Sequence, residues 1–317
     1  MAPTAGTLPP ELLLEVFAHL DDAAGEVDQQ SLKHATLVCR AWADPAQSIL
    51  WQAGATLDGD RDVERFVSTA PRRRVGPKEI LVYGLRTVES LDKLWPSIAG
   101  VESLVIVSEG GVYSAKNFDH PALAGLKSLA LKGSLIPSDP AIRLPFELTR
   151  LNISDTGIRT RHLASFLSTI VQSSTSTLRS VSLLSVSAPA HPQVAQAILP
   201  VAPNLRHVGL AIDPRDDATP YVAVFDAAKA SLRSFECTSL PGALVAALPP
   251  SLRGFATMED ADAIDVAELG QALARLKGLE RLYFACERKA FRDLPGGQEL
   301  VAEVERRNVV WHFAEDY

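Results

Sequence analysis

Cysteine is scarce in this chain of 317 residues: Cys39, Cys237 and Cys286 are its whole complement. An odd number separated by long gaps supplies no disulfide framework, and reduced thiols of an intracellular compartment are the expectation. Long apolar runs are lacking too. No uncharged stretch approaches the ~20 residues a helix needs to cross a bilayer. The amino terminus, Met1-Ala2-Pro3-Thr4-Ala5-Gly6, lacks the basic-then-apolar order of a signal peptide. These absences predict a soluble protein of the cytoplasm, the nucleus or both, with no membrane partner. Positive charge is short as well. Against 38 Asp and Glu stand 31 Lys and Arg, a net charge of −7, which leaves no global footprint for nucleic acid or an anionic membrane surface. The one basic cluster in the linear sequence, Arg72-Arg73-Arg74 with Lys78 nearby, precedes an apolar stretch and reads as a solvated loop rather than a phosphate or lipid site.

Catalytic signatures are missing in the same way. Gly110-Gly111 and Gly296-Gly297 are isolated pairs, with no G-x-G-x-x-G or G-x-x-x-x-G-K-[ST] to cradle a phosphate. There is no G-x-S-x-G, H-E-x-x-H or C-x-x-C. The seven histidines (His19, His34, His120, His162, His191, His207 and His312) are scattered. His19 stands beside Asp21 and Asp22, a capping or surface arrangement at a helix end rather than a metal site. Asp213-Pro214-Arg215-Asp216-Asp217 gathers three carboxylates without the alternating ligands and central glycine of a calcium loop, so it reads as a turn. Cys39 lies among apolar neighbours and reads as a packed thiol. No residue set asks for a metal, a cofactor or a catalytic role, and the expectation is a protein that is not an enzyme.

What is present is ordinary globular material, 47% hydrophobic and 22% charged, long enough for a sizeable core. Near the amino terminus Pro9 and Pro10 suit a helix start, and Glu11 and Glu15 face the positive end of its dipole. Leu12, Leu13, Val16, Phe17 and Leu20 follow at helical spacing as one apolar stripe. After a polar stretch over Asp21–Asp28, Ser31 can cap a second helix with Leu32, Ala35 and Val38 in line. Asp44-Pro45 reads as the start of a third helix carrying Ala46, Ile49 and Leu50 and closing on Trp51. Three short helices have little interior of their own, so the stripe on the first must be covered by the rest of the chain or by a partner.

Leu8-Pro9-x-Glu11-Leu12-Leu13-x-x-Val16-Phe17-x-x-Leu20, then Leu32-x-x-Ala35-x-Leu37-Val38-Cys39-Arg40-Ala41-Trp42, then Ala46 and Leu50-Trp51, closely resembles an F-box. The resemblance covers all three helices and sets residues 1–55 apart as a small module. It implies that Leu8, Pro9, Leu12, Leu13, Val16, Phe17, Leu20, Val38, Cys39 and Trp42 dock onto a Skp-type adaptor, and through it a cullin. The alternative is a helical cap packed on the following domain.

Residues 56–317 carry a different texture. A six-residue theme, apolar-x-x-apolar-x-apolar, recurs from Val101, Leu126, Leu148, Leu178, Leu205, Leu232, Leu252 and Leu279, with looser copies at Glu79–Tyr83 and Val309–Phe313. Its spacing of about 20 to 30 residues is the range of leucine-rich repeats. Helical periodicity fills the intervals, as in Leu163, Phe166, Leu167 and Ile170. The expected fold is therefore α/β: a three-helix module followed by a leucine-rich-repeat solenoid with a curved parallel sheet and outer helices. The repeats resemble the irregular ones that follow the F-box in many F-box proteins, particularly fungal ones, although only Leu151-Asn152-Ile153-Ser154-Asp155 nears the asparagine-type consensus. A doubly wound α/β enzyme shares the strand–helix alternation, but the repeated leucine frame favours the solenoid.

The resemblance implies a substrate-recognition subunit of an SCF-type ubiquitin ligase, or a scaffold of the same build acting outside a ligase. In each strand the residues flanking the central apolar position face outward together. Most are small, so Arg150, His207, Glu236, Arg281 and Tyr283 stand out as candidate anchors for a protein substrate.

Overall fold

A computed structural model of the chain describes residues 8–20, 28–52, 54–69, 76–136, 138–139, 141–154, 160–184, 190–213, 215–258 and 264–313. The chain divides into two compact units, one of residues 1–108 with 120–126 and one of residues 109–119 with 127–317.

The first unit opens with three helices. Helix α1 (Pro10–Ala18) begins at its prolines, where a missing N–H costs nothing because first-turn amides have no partner inside a helix. Helix α2 (Gln29–Val38) is capped one turn earlier than the sequence suggests. The carboxylate of Asp28, not the hydroxyl of Ser31, accepts from the backbone N–H groups of Gln30 and Ser31, both at 3.0 Å. The Ser31 side chain adds a third bond, and together these hold the Asp28 carboxyl below its usual value. Helix α3 (Arg40–Gln52) also departs from expectation: it starts at Arg40 and runs through Pro45. Proline removes the bond to the carbonyl of Ala41, but Ala41 is exposed, where water can serve that oxygen. Trp42 and Ala46, one turn apart, both join the interior of the module and carry the helix across the proline.

That interior consists of Leu13 and Phe17 from α1, Leu32 and Ala35 from α2, and Ala46 from α3, with Leu8, Leu20, Trp42, Ile49 and Leu50 packed around them. Both α1 and α2 pack on α3. Phe17 meets Trp42 edge to face, the ring centroids 5.5 Å apart.

The unit continues with β1 (Ala55–Asp58), α4 (Gly59–Thr69), β2 (Glu79–Tyr83), α5 (Glu89–Leu94) and β3 (Ser103–Tyr113), of which residues 103–108 belong here. The three strands are parallel and pair in chain order, aligning Leu57, Val82 and Ile106. Strand β1 lies ahead of the first copy of the six-residue theme, at Glu79–Tyr83, and its four residues contribute one buried apolar side chain, Leu57, too little to show in the sequence. Gly59 takes a φ of +74° and opens α4 directly. Residue 55, where the helical module was expected to end, is the first of β1. Arg72, Arg73 and Arg74 lie outside the described residues.

The second unit alternates strand and helix. Its strands are β4 (Ser128–Leu135), β5 (Arg150–Ser154), β6 (Ser180–Leu183), β7 (His207–Leu210), β8 (Ser234–Cys237), β9 (Gly254–Thr257), β10 (Arg281–Phe284) and β11 (Val310–Phe313). Each pairs in parallel with the next in sequence, so the sheet order is the chain order. In this unit every copy of the six-residue theme falls on a strand in one register. Leu151, Val181, Val208, Phe235, Phe255 and Leu282 align across the ladder and are all buried.

Helices α6 (Thr160–Ser173), α7 (His191–Ile198), α8 (Val222–Ala228), α9 (Gly242–Ala247), α10 (Val266–Arg275), α11 (Arg288–Asp293) and α12 (Gly297–Arg306) fill the returns. Aromatic rings bind helix to strand: Phe225 of α8 lies 4.9 Å from Phe235 of β8, and Phe291 of α11 lies 5.0 Å from Phe284 of β10. Each such ring contributes about 1.5–3 kcal/mol by leaving water.

The pair Gly296-Gly297 is structural. Gly296 precedes α12 at a φ of +78°, and a Cβ on Gly297 would lie 2.2 Å from the carbonyl oxygen of Phe291. Backbone cannot retreat as a flexible side chain can. Gly297→Ala is therefore expected to lower stability by about 1–3 kcal/mol in denaturant titrations, whereas Gly278→Ala, whose nearest neighbour is 3.9 Å away, should differ little.

Candidate functional site

Two surfaces carry the residues singled out by sequence. On α1 the expected single stripe splits into two lines. Leu13 and Phe17 are one turn apart and point inward, 1% and 2% exposed. Leu12 and Val16, rotated by one residue or about 100° around the axis, are 47% and 53% exposed. Pro9 is exposed, while Leu8 and Leu20 are half-buried. The end of α2 adds Leu37 and Val38, 82% and 60% exposed; Cys39 and Trp42 are half-buried. Of the ten residues expected to meet a partner, Leu13 and Phe17 thus hold the helices together, while Pro9, Leu12, Val16 and Val38 present themselves to solvent. Leu37, the most open of the apolar group, was quoted in the sequence pattern but not named as a contact.

The second surface is the outward face of β4–β11. Register places Arg150, Ser180, His207, Ser234, Gly254 and Arg281 in one row, and Asn152, Ser182, Gly209, Glu236, Ala256 and Tyr283 in the next. Of the five candidate anchors, the fold joins His207 and Glu236, on neighbouring strands with Nε2 and Oε2 4.0 Å apart. Arg281 and Tyr283 share β10. Arg150 stands two strands from His207, about 10 Å away at normal strand spacing. The anchors therefore form no single cluster.

Burial pushes the His207 imidazole below its usual value of 6.5, and the Glu236 carboxylate opposes that only partly. The neutral ring is the favoured folded form. Its contribution to stability is present above pH 6.5 and is lost as pH falls from there toward the folded value, because the unfolded chain takes up the proton first. Chemical denaturation measured between pH 7.5 and 5.5 should show His207→Gln to be less acid-sensitive than the parent.

A third group escaped the sequence reading. His191, at the start of α7, is fully buried, with Nε2 2.9 Å from Asp216 Oδ2 and Nδ1 2.9 Å from the Tyr221 hydroxyl. A neutral ring satisfies both partners when Nε2–H donates to the carboxylate and the Tyr221 hydroxyl donates to Nδ1. The Asp216 carboxylate also accepts from the Asp213 N–H at 3.0 Å. This resolves the role of Asp216 in the carboxylate-rich stretch: it is fastened to α7 by a histidine. His191 and Tyr221 have no exposure through which substrate could reach them, so the arrangement organises a loop. No local motif announces the contact, because its three members, 25 and 30 residues apart, come together only in the folded chain.

Among the described residues no set of three or more His, Cys, Asp or Glu side chains is arranged to hold a metal ion. Among them, too, no helix is long and apolar enough to cross a membrane. Comparison with known families identifies an F-box-like domain at residues 5–53, the span that contains α1–α3. No curated protein matches the chain.

Proposed function

We propose that this protein is a substrate receptor of an SCF-type ubiquitin ligase. In this reading the F-box-like module binds a Skp-type adaptor and, through it, a cullin. The strand–helix array is a leucine-rich-repeat solenoid that holds a protein substrate. The receptor supplies proximity and orientation, and no residue of its own takes part in the chemistry.

One observation carries the reading. The module that matches the F-box-like family closes a small core with Leu13 and Phe17, yet leaves Leu12, Val16, Leu37 and Val38 in water. Exposed apolar residues concentrated on so small a module are characteristic of an interaction site rather than of a finished surface. F-box domains in general use such a surface on Skp-type adaptors.

Affinity purification of the full chain from cells tests the proposal. Recovery of both adaptor and cullin is the expected result. Adaptor without cullin would replace it with a scaffold acting outside a ligase, and recovery of neither would overturn it.

A further inference from the structure

The fold builds a basic stripe that the linear sequence conceals. Immediately before each of β4 to β9 stands one residue whose backbone carbonyl accepts from two N–H groups at the start of the next strand. Lys127, Thr149, Arg179, Arg206, Arg233 and Arg253 occupy these positions in succession. Five of the six are cationic. Lys127, Arg206, Arg233 and Arg253 are exposed, and Arg179 is half-buried. The ladder stacks them at strand spacing, so the stripe runs about 24 Å along the edge where the strands begin.

Arg179, Arg206 and Arg233 form no ion pair among the described residues, and Arg253 pairs with Glu280 at the end of the stripe. Arg179 Nη1 donates to the Leu178 carbonyl at 3.1 Å, and Arg233 Nη1 to the carbonyls of Ser251 at 3.3 Å and Leu232 at 3.5 Å. Only Nη1 of each is thereby engaged, and the Nε and Nη2 N–H groups keep a fork that fits a carboxylate. Cations at this spacing raise a local positive potential, although the chain as a whole is at −7.

We propose that this edge docks an extended acidic peptide lying across the strands, with its carboxylates on Arg179, Arg206, Arg233 and Arg253. At about 3.3 Å per residue, some seven residues of extended chain span the stripe. The neighbouring outward row supplies Ser180, Ser234 and Gly254, small enough for a peptide backbone to approach and able, at the serines, to hydrogen-bond it. A nucleic acid fits less well, because the stripe is one residue deep and the adjoining row of Ser180, His207, Ser234 and Gly254 offers a single ring, His207, rather than a platform on which successive bases could stack. Only in calling the peptide a substrate does the proposal rest on the receptor reading above.

The test uses the full chain and fluorescence anisotropy with three labelled probes: a peptide of about ten alternating Glu and Ser residues, its Gln-and-Ser counterpart, and a single-stranded oligonucleotide of matching length. The acidic peptide should bind saturably, weaken as salt rises toward ~0.3 M, and bind about tenfold or more weakly to Arg206→Glu/Arg233→Glu. Arg206→Gln/Arg233→Gln guards against misfolding by reversal and should lose most of the same affinity. Lys229→Glu, an exposed charge beyond the end of α8, should leave binding unchanged. No saturable binding, equal binding by either double variant, equal binding of the neutral peptide, or tighter binding of the oligonucleotide would each overturn the proposal. Adaptor recovery is read separately: its loss from the parent chain sinks the receptor reading and leaves peptide binding to stand or fall by itself.

Discussion

A chain carrying Leu12→Asp and Val16→Asp is expected to fold as the parent does and to lose its adaptor. Both side chains are about half exposed, so the helix gives up little packing on substitution. Asp costs roughly half a kcal/mol of helix propensity at each site, partly offset at position 12 by the positive end of the α1 dipole. In an interface the same two positions must lose their water. Truncating a central apolar contact commonly costs 2 kcal/mol or more, and a carboxylate buried there adds a desolvation penalty. Adaptor affinity should fall at least ~100-fold, equivalent to about 2.7 kcal/mol. The measurement is titration of the purified adaptor, with circular dichroism confirming helix content. Retained binding would remove the exposed line of α1 from the interface.

Phe17→Asp cannot make that distinction. Phe17 is 2% exposed and packs on Trp42 within the module's own core, so its replacement unfolds the helices and abolishes binding without touching a partner. Leu13→Ala behaves in the same way at a cost of about 2–5 kcal/mol. The informative pair is one variant on each line: Leu12→Asp/Val16→Asp for contact, Leu13→Ala for structure.

His191→Ala is the second large effect. The change removes the acceptor of the Tyr221 hydroxyl and the side-chain donor to Asp216, and it leaves a void in a fully buried site. An orphaned buried polar group costs about 1–3 kcal/mol, and the cavity adds to that, for a total of about 3 kcal/mol or more. For a unit of this size Tm should drop by on the order of 10 °C in calorimetry. Tyr221→Phe removes a single donor and should cost about 1–2 kcal/mol. A signature at high pH accompanies it. Burial, with the Asp216 charge second, holds the Tyr221 phenol well above its usual 10.0. The neutral hydroxyl stabilises the fold fully below pH 10, and that contribution is lost as pH rises above it, because the unfolded chain ionises first. Tyr221→Phe should therefore flatten the alkaline limb of the stability profile. An unchanged limb would assign the loss to other groups.

Much of the fold was legible because its signal is local and repeated. A leucine frame restarting from Val101 to Leu279 places alternate side chains on one face of a strand, and the strands follow without further information. Short elements with a single apolar anchor were not legible, as β1 shows with Leu57 alone. Helix α3 was misread because Asp44-Pro45 is a sound local start signal, and only packing of Trp42 and Ala46 in the shared interior overrides it. Short helices such as α9 and α11 bury one or two residues each, too few to show a period.

By itself the sequence determined the α1–α3 module, the alternation of strand and helix, and the absence of the common catalytic motifs, since each is written within a few turns of chain. Tertiary structure decided the rest. It split the apolar stripe of α1 into a buried line and an open one, because a helix offers one side to its neighbours and a contact map is needed to say which. It fastened His191 to Asp216 and Tyr221 across 25 and 30 residues. It also lined up Lys127, Arg179, Arg206, Arg233 and Arg253, which lie 20 to 52 residues apart from one to the next in the chain and about one or two strand spacings apart in the sheet. A charge pattern of that kind exists only once parallel strands are in register, which is why composition alone pointed to an acidic protein without a basic face.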